Sequence, residues 1–362
     1  MVKWLRMKQR IETLREILRD SSLDAALVTS GVNIRYYSGF TSSDGMFLVT
    51  HKAAYLITDF RYTIQAKAQT KGYSEVVEAT FAEQHERIRG FLQADGCERV
   101  AFEEQSMSVG EFGVYQAMPF EWVPFSAELT KPRLYKSAEE IESLQRAQRI
   151  ADQSFLEWLG RVHAGMTEQE AAAELNYVCM KNGSEGISFD PIVAGGPNGA
   201  MCHAVPGTRK LRQGDLVVTD FGCVVDGYHS DMTRTFAIGE IDAKSKEIYE
   251  IVKTAQRMAL SALKIGVSGK ALDAVARDYI KSCGYGEAFG HGLGHGFGLE
   301  IHEPPRASFA SEDILTSGMT VTVEPGIYVE GKCGVRIEDC CVVTEEGCLN
   351  LVSVTKDLIT IQ

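Results

Sequence analysis

Two stretches of this chain spell the same pattern at a fixed spacing. Gly214-Asp-Leu-Val-Val-Thr-Asp220-Phe-Gly222 matches Gly318-Met-Thr-Val-Thr-Val-Glu324-Pro-Gly326, and the opening glycines, the acids and the closing glycines are each 104 positions apart. The surroundings repeat more loosely. The segments at Gly165 and Gly266 each separate two helical patterns, and His203-Ala-Val-Pro206 has the HxxP spelling of His302-Glu-Pro-Pro305. Two copies are too few for a solenoid. Two similar halves that share one core, each with helices followed by a hairpin, predict a pseudo-symmetric α+β domain. A site at the seam then draws matching residues from both halves.

The hairpins say which residues. The first is expected over 216–224 and 228–236, with Asp226-Gly227 as its tight turn. That places Asp220 roughly opposite Asp231. The second is expected over 320–329 and 335–343, turning near Gly331, with Glu324 facing Glu338. Asp220 follows Leu-Val-Val-Thr and Glu324 follows Val-Thr-Val, so both acids end strongly apolar strands. A carboxylate buried there is costly unless it is paired or metal-bound. Arg234 and Arg336 offer ion pairs for any single acid. Two arginines cannot balance four acids, whereas two divalent cations can.

Histidines reinforce the pattern. His291-Gly-Leu-Gly-His295-Gly-Phe-Gly-Leu-Glu-Ile-His302 puts three of the chain's 8 histidines in one glycine-rich stretch. The glycines allow the backbone to approach a ligand closely. The stretch does not spell GxGxxG, because Phe297 stands where the last glycine belongs. Asp220-Phe-Gly222 spells the kinase DFG, but neither a nucleotide loop nor an HRD motif accompanies it. Four carboxylates and one imidazole make an oxygen-rich donor set, suited to Mn²⁺ and acceptable to Co²⁺ or Zn²⁺. The set contains no thiolate, which argues against a structural zinc site.

The first third reads differently. An amphipathic helix is expected over 8–20, with Ile11, Leu14, Ile17 and Leu18 on one face. A short strand at 25–28, a hairpin around His51-Lys52 and a helix over 62–70 follow. Residues 1–130 are expected to form one α/β domain and 131–362 a second domain, which carries the paired acids and the histidines. Ser137-Ala-Glu-Glu140 is a capping-box spelling that opens the second part. A chain of 362 residues is long enough for two such cores.

Composition sets the remaining limits. The net charge of −12 repels phosphate backbones, so nucleic acid is not an expected partner. No apolar run approaches the ~18 residues that span a bilayer, and the N-terminal residues lack the apolar core of a secretory signal. The 9 cysteines are odd in number and show no CxxC spacing, which fits buried thiols in a reducing compartment. A cytoplasmic location is expected, with no membrane partner.

At these residues the chain resembles the creatinase/aminopeptidase family with the pita-bread fold, whose proline-specific branch contains prolidase and aminopeptidase P. The matching motifs are Asp220-Phe-Gly, Ser230-Asp231-Met-Thr-Arg-Thr, His291-Gly-Leu-Gly-His295, Glu324-Pro-Gly326 and Arg336-Ile-Glu338. In the first third, Asn33-Ile-Arg-Tyr-Tyr-Ser-Gly-Phe and Thr58-Asp-Phe-Arg-Tyr62 resemble the family's accessory domain. The resemblance implies a pair of metal ions. Asp220 and Glu338 would bridge them, Asp231 would chelate one, and His295 with Glu324 would complete the other. His203, His291 and His302 would line the site and bind substrate or the tetrahedral intermediate, with Arg336 supporting the cluster. Arg306, in His302-Glu-Pro-Pro-Arg306, matches the arginine thought to hold a dipeptide's carboxylate in prolidases. The one departure is Met201-Cys202 before His203.

The implied activity is metal-assisted hydrolysis of the Xaa-Pro bond, in peptides with proline second or in Xaa-Pro dipeptides. Two cations lower the pKa of a shared water, and the resulting hydroxide attacks the carbonyl before proline. His302 or His203 donates to the oxyanion, and Glu324 shuttles the proton. A homodimer is expected by resemblance alone. Creatinase-like hydrolysis without metal is disfavoured because that branch lacks the five-ligand set. A catalytically silent binding protein on the same scaffold is disfavoured because such proteins lose ligands. Methionine aminopeptidases normally lack the domain in front.

Overall fold

The computed structural model describes residues 2–42 and 44–362. They form two compact units, Met1–Arg133 and Leu134–Gln362.

In the first unit a six-stranded mixed sheet carries the fold. Its spatial order is Glu75–Glu78, Ala54–Thr58, Met46–Thr50, Ala25–Val28, Arg99–Phe102 and Glu121–Pro124. The central Ala25–Val28 is buried along its whole length, as suits a strand covered on both faces. Met46–Thr50 and Ala54–Thr58 pair antiparallel around His51-Lys52 as expected. The N-terminal helix spans Val2–Asp20, starting six residues before the expected 8. Met7 explains the extension: at 1% exposure it heads the buried stripe Met7, Ile11, Leu14 and Leu18. Ile17 lies only half-buried at its edge.

The second unit is built twice. Helices Ala138–Leu159 and Glu168–Lys181 precede the first hairpin, and helices Ala243–Ala262 and Gly269–Ser282 precede the second. The Ser137 box forms as spelled: its backbone N–H donates to Glu140 at 2.8 Å and its hydroxyl accepts from the Glu140 N–H at 3.4 Å. Each half packs its own apolar core. Phe155, Trp158, Phe221 and Phe236 lead the first, and Ile248, Val252, Val321 and Val335 lead the second.

The first hairpin corrects the expected pairing. Val225 pairs with Tyr228, so Asp226-Gly227 is a two-residue turn, with φ of 51° and 74°. The same register runs on to Phe221 with Met232 and Asp220 with Thr233. Asp220 therefore faces Thr233, not Asp231. Asp231 lies two residues along the same strand face, because side chains alternate with period two. The second hairpin turns about Gly331, pairing Val329 with Cys333 and Val323 with Asp339. That register places Glu324 across from Glu338.

Candidate metal centre

The five expected ligands all line one cleft of about 910 Å³ in the second unit. Asp220 lies near the end of the strand Leu216–Phe221, and Asp231 directly precedes Met232–Ile238. Glu324 and Glu338 occupy the short gap between the two paired segments of the second hairpin. His295 lies in the middle of a three-residue strand, Gly294–Gly296. That strand is pressed onto the second hairpin: His295 N donates to Thr322 Oγ1 at 3.0 Å, and Glu324 N donates to the Leu293 carbonyl at 2.8 Å. The approach needs glycine at 294, where a Cβ would lie 1.9 Å from the Thr322 carbonyl oxygen.

His295 shows what the cluster can hold. Its Nδ1 lies 3.0 Å from the Gly296 carbonyl, which only accepts, so Nδ1 carries the proton. Burial pushes the imidazole pKa down to about 3, so the ring is neutral and Nε2 presents a lone pair. That lone pair lies 3.6 Å from Asp231 Oδ2 and 3.4 Å from Glu324 Oε1. Three acceptors pointing at one another repel unless a proton or a cation lies among them. Ligand atoms of Asp231, His295 and Glu338 all lie within 4.8 Å of one another. Asp220 Oδ1, Asp231 Oδ1 and Glu338 Oε1 are buried and find no hydrogen-bond partner among the described residues. Four carboxylates and an imidazole with these orphaned oxygens fit hard or borderline divalent cations.

The electrostatics agree. Burial, then the neighbouring carboxylates, holds Asp231 and Glu338 well above the usual carboxylate range. Glu324 is pushed up to about 8, chiefly by burial; Arg336 pulls the other way and Asp220 adds to the rise. Of the two arginines that could have neutralised the cluster, only Arg336 reaches it, donating to Asp220 Oδ2 at 2.5 Å. Arg234 pairs instead with Asp339 at 2.8 Å. One arginine leaves most of the cluster's negative charge uncompensated.

The remaining expected residues divide by position. His302 stacks edge-on to His295 with ring centres 4.4 Å apart, and burial and Arg306 hold its pKa low. His203 is exposed on the cleft wall, and Arg306 also lines the cleft with an exposed side chain. His291 is engaged at both nitrogens, Nδ1 with the Gly292 carbonyl and Nε2 with the Tyr328 hydroxyl at 2.9 Å. It presents no free nitrogen to a substrate.

Three supporting residues are absent from the sequence reading. The Tyr328 hydroxyl accepts from Arg336 Nη1 at 2.7 Å. The Thr233 hydroxyl donates to Glu338 Oε2 at 2.7 Å and accepts from Arg336 Nε at 3.0 Å. The Thr322 hydroxyl donates to Glu324 Oε1 at 3.2 Å. The sequence signal for the threonines was alternation, since Thr233 lies two residues from Asp231 and Thr322 two from Glu324 on the same strand faces, and Thr233 also stands inside the Ser230-Asp231-Met-Thr-Arg-Thr motif. Tyr328 carried no signal.

Residues 142–345 match the model of metallopeptidase family M24, and residues 10–135 match the Creatinase/Prolidase N-terminal domain. The chain belongs to metallopeptidase family M24. The family and fold expected from the motifs are thereby borne out, and the M24 family implies divalent metal ions. The chain is 36% identical to an Xaa-Pro dipeptidase of Pyrococcus furiosus, over 98% of this chain and 100% of the relative. Among solved structures it is similar to an Xaa-Pro dipeptidase from Bacillus anthracis, with 40% identity, a TM-score of 0.94, and 98% of this chain and 100% of that one covered. An X-Pro aminopeptidase from Thermotoga maritima is 38% identical with a TM-score of 0.91, over 97% and 99% of the two chains. As in other M24 members, a hydrolytic site is expected in the family domain, which holds all five converging residues. No helix among the described residues is long and apolar enough to cross a membrane.

Proposed function

We propose that this M24 member hydrolyses the Xaa-Pro bond with the help of two divalent cations, most naturally Mn²⁺, with Co²⁺ or Zn²⁺ acceptable. Asp220, Asp231, His295, Glu324 and Glu338 would together hold the pair. The observation that carries this reading is the His295 Nε2 lone pair facing two carboxylates, beside orphaned carboxylate oxygens. Bound divalent cations supply Lewis acidity, lowering the pKa of water and polarising the scissile carbonyl.

The chain's own residues do the rest. Glu324 accepts the attacking water's proton and passes it to the leaving nitrogen. His302 or His203 donates to the developing oxyanion. Arg336 holds Asp220, and Tyr328 and Thr233 hold Arg336. Ala172, Phe189 and Ile192 give the cleft an apolar wall suited to a proline ring, whose tertiary nitrogen has no N–H to offer. The exposed Arg306 guanidinium favours a dipeptide, whose free carboxylate lies close to the scissile bond.

The test is a side-by-side assay of an Xaa-Pro dipeptide and an Xaa-Pro-Xaa tripeptide with added Mn²⁺. Hydrolysis of both, lost on chelation and restored by Mn²⁺ or Co²⁺ but not by Mg²⁺ alone, is expected. Arg306→Ala should raise KM for the dipeptide by about tenfold or more and leave the tripeptide less affected. Full activity in chelated protein would contradict the reading.

A further inference from the structure

Behind the cluster lies a second buried charge network that none of the proposed chemistry uses. Arg234 stands between Thr233 and Thr235 on the strand Met232–Ile238, so it points away from the face that carries Thr233. Arg234 and Asp339 are only 2% and 0% exposed, and they pair at 2.8 Å. The remaining Arg234 donors all go to backbone carbonyls. Nη1 reaches Glu338 at 2.6 Å and Thr233 at 2.9 Å, Nη2 reaches Val354 at 2.8 Å, and Nε reaches Thr355 at 3.1 Å. Asp339 Oδ2 in turn accepts from Lys356 Nζ at 2.6 Å, Asn350 Nδ2 at 2.7 Å and Gln256 Nε2 at 3.0 Å.

Glu338 is consequently held on three sides by one strand. Its N–H donates to the Thr233 carbonyl at 3.0 Å, its carbonyl accepts from Arg234, and its carboxylate accepts from the Thr233 hydroxyl. A buried ion pair contributes little net stability, because the cost of dehydrating both charges offsets their attraction. What this pair does supply is a fixed fork aimed at the peptide carbonyl of a candidate ligand, tied to residues 350–356.

We propose that Arg234 and Asp339 are positioning residues for Glu338, and that the C-terminal segment, through Asn350 and Lys356, sets how tightly the neighbouring cluster holds its cations. The inference rests on the two-cation reading above and deepens it. Partners that orient a metal ligand typically change affinity by about 10–100-fold when removed. Lysine cannot replace Arg234, because one ammonium cannot reach carbonyls on both sides of a planar fork.

The test is calorimetric titration of Mn²⁺ into chelator-stripped protein, alongside the melting temperature of the same stripped samples. Asp339→Asn is nearly isosteric, and Lys356→Met acts from the outer, partly exposed end of the network. Both should weaken Mn²⁺ binding, Asp339→Asn by roughly tenfold or more and Lys356→Met by less, and Arg234→Lys should also fall below wild-type affinity. Lys356→Met should do so with little change in melting temperature. Wild-type Mn²⁺ affinity in Asp339→Asn and Lys356→Met, with only the melting temperature lowered, would overturn the inference and leave the two-cation reading standing. No Mn²⁺ binding by the wild-type protein would sink both.

Discussion

His295 is where residue chemistry speaks most directly. A neutral imidazole whose Nδ1–H is spent on its own strand has one thing left to offer, a lone pair, and that lone pair faces acids. His295→Ala and Asp231→Asn should each abolish Xaa-Pro hydrolysis while circular dichroism and melting remain those of a folded protein. Retained activity in both would remove them from the mechanism. Tyr328→Phe removes the hydroxyl that Arg336 Nη1 and His291 share. It should lower kcat by about 10–100-fold with KM little changed, as loss of an outer partner does. At this scale the sequence was generous with some residues and silent on others. Acids ending apolar strands and clustered histidines violate ordinary burial rules, so they stand out. Tyr328, Thr233 and Thr322 violate none, being ordinary β-formers, and only the fold shows which atoms their hydroxyls meet.

At the scale of elements, caps were legible and register only partly so. The Ser137–Glu140 box forms as spelled because its partners are local. The first hairpin needed the turn counted from between Asp226 and Gly227; setting Asp220 against Asp231, six and five residues from Asp226, moves the partner of Asp220 two residues along the strand from Thr233. The error kept the face and lost the partner, which is why Asp231 still reaches the cleft. Asp242 offers a test of cap energetics. It caps Ala243–Ala262 by accepting from the Lys244 and Ser245 N–H groups. Its bonds to the Ser245 hydroxyl and N–H, aided by Lys332, hold its pKa at about 2, below the ordinary 3.8. Asp242→Ala should cost about 1 kcal/mol at neutral pH. Because the folded pKa is the lower one, that contribution is complete above the ordinary value and fades as pH falls toward 2. Melting curves of both proteins should therefore converge in acid; a gap that widens there would refute the assignment.

For the molecule as a whole, the duplicated half explains the site. Each half brings a hairpin that ends in a buried acid, and folding brings the two hairpins' acids together in one cleft. Apposing them costs free energy that apolar packing in the two cores must offset unless cations bind. Metal loading should then stabilise the folded state by about 2.7 kcal/mol for each ion bound at a hundredfold excess over its Kd, raising the melting temperature by roughly 5–10 °C. An unchanged melting temperature with Mn²⁺ present would mean that the acids are accommodated another way. The most direct measurement is anomalous diffraction at the manganese edge from crystals of Mn²⁺-loaded protein. Two peaks enclosed by Asp220, Asp231, His295, Glu324 and Glu338 are predicted. An empty cleft, with the acids neutralised by protons and Arg336 alone, would contradict the account.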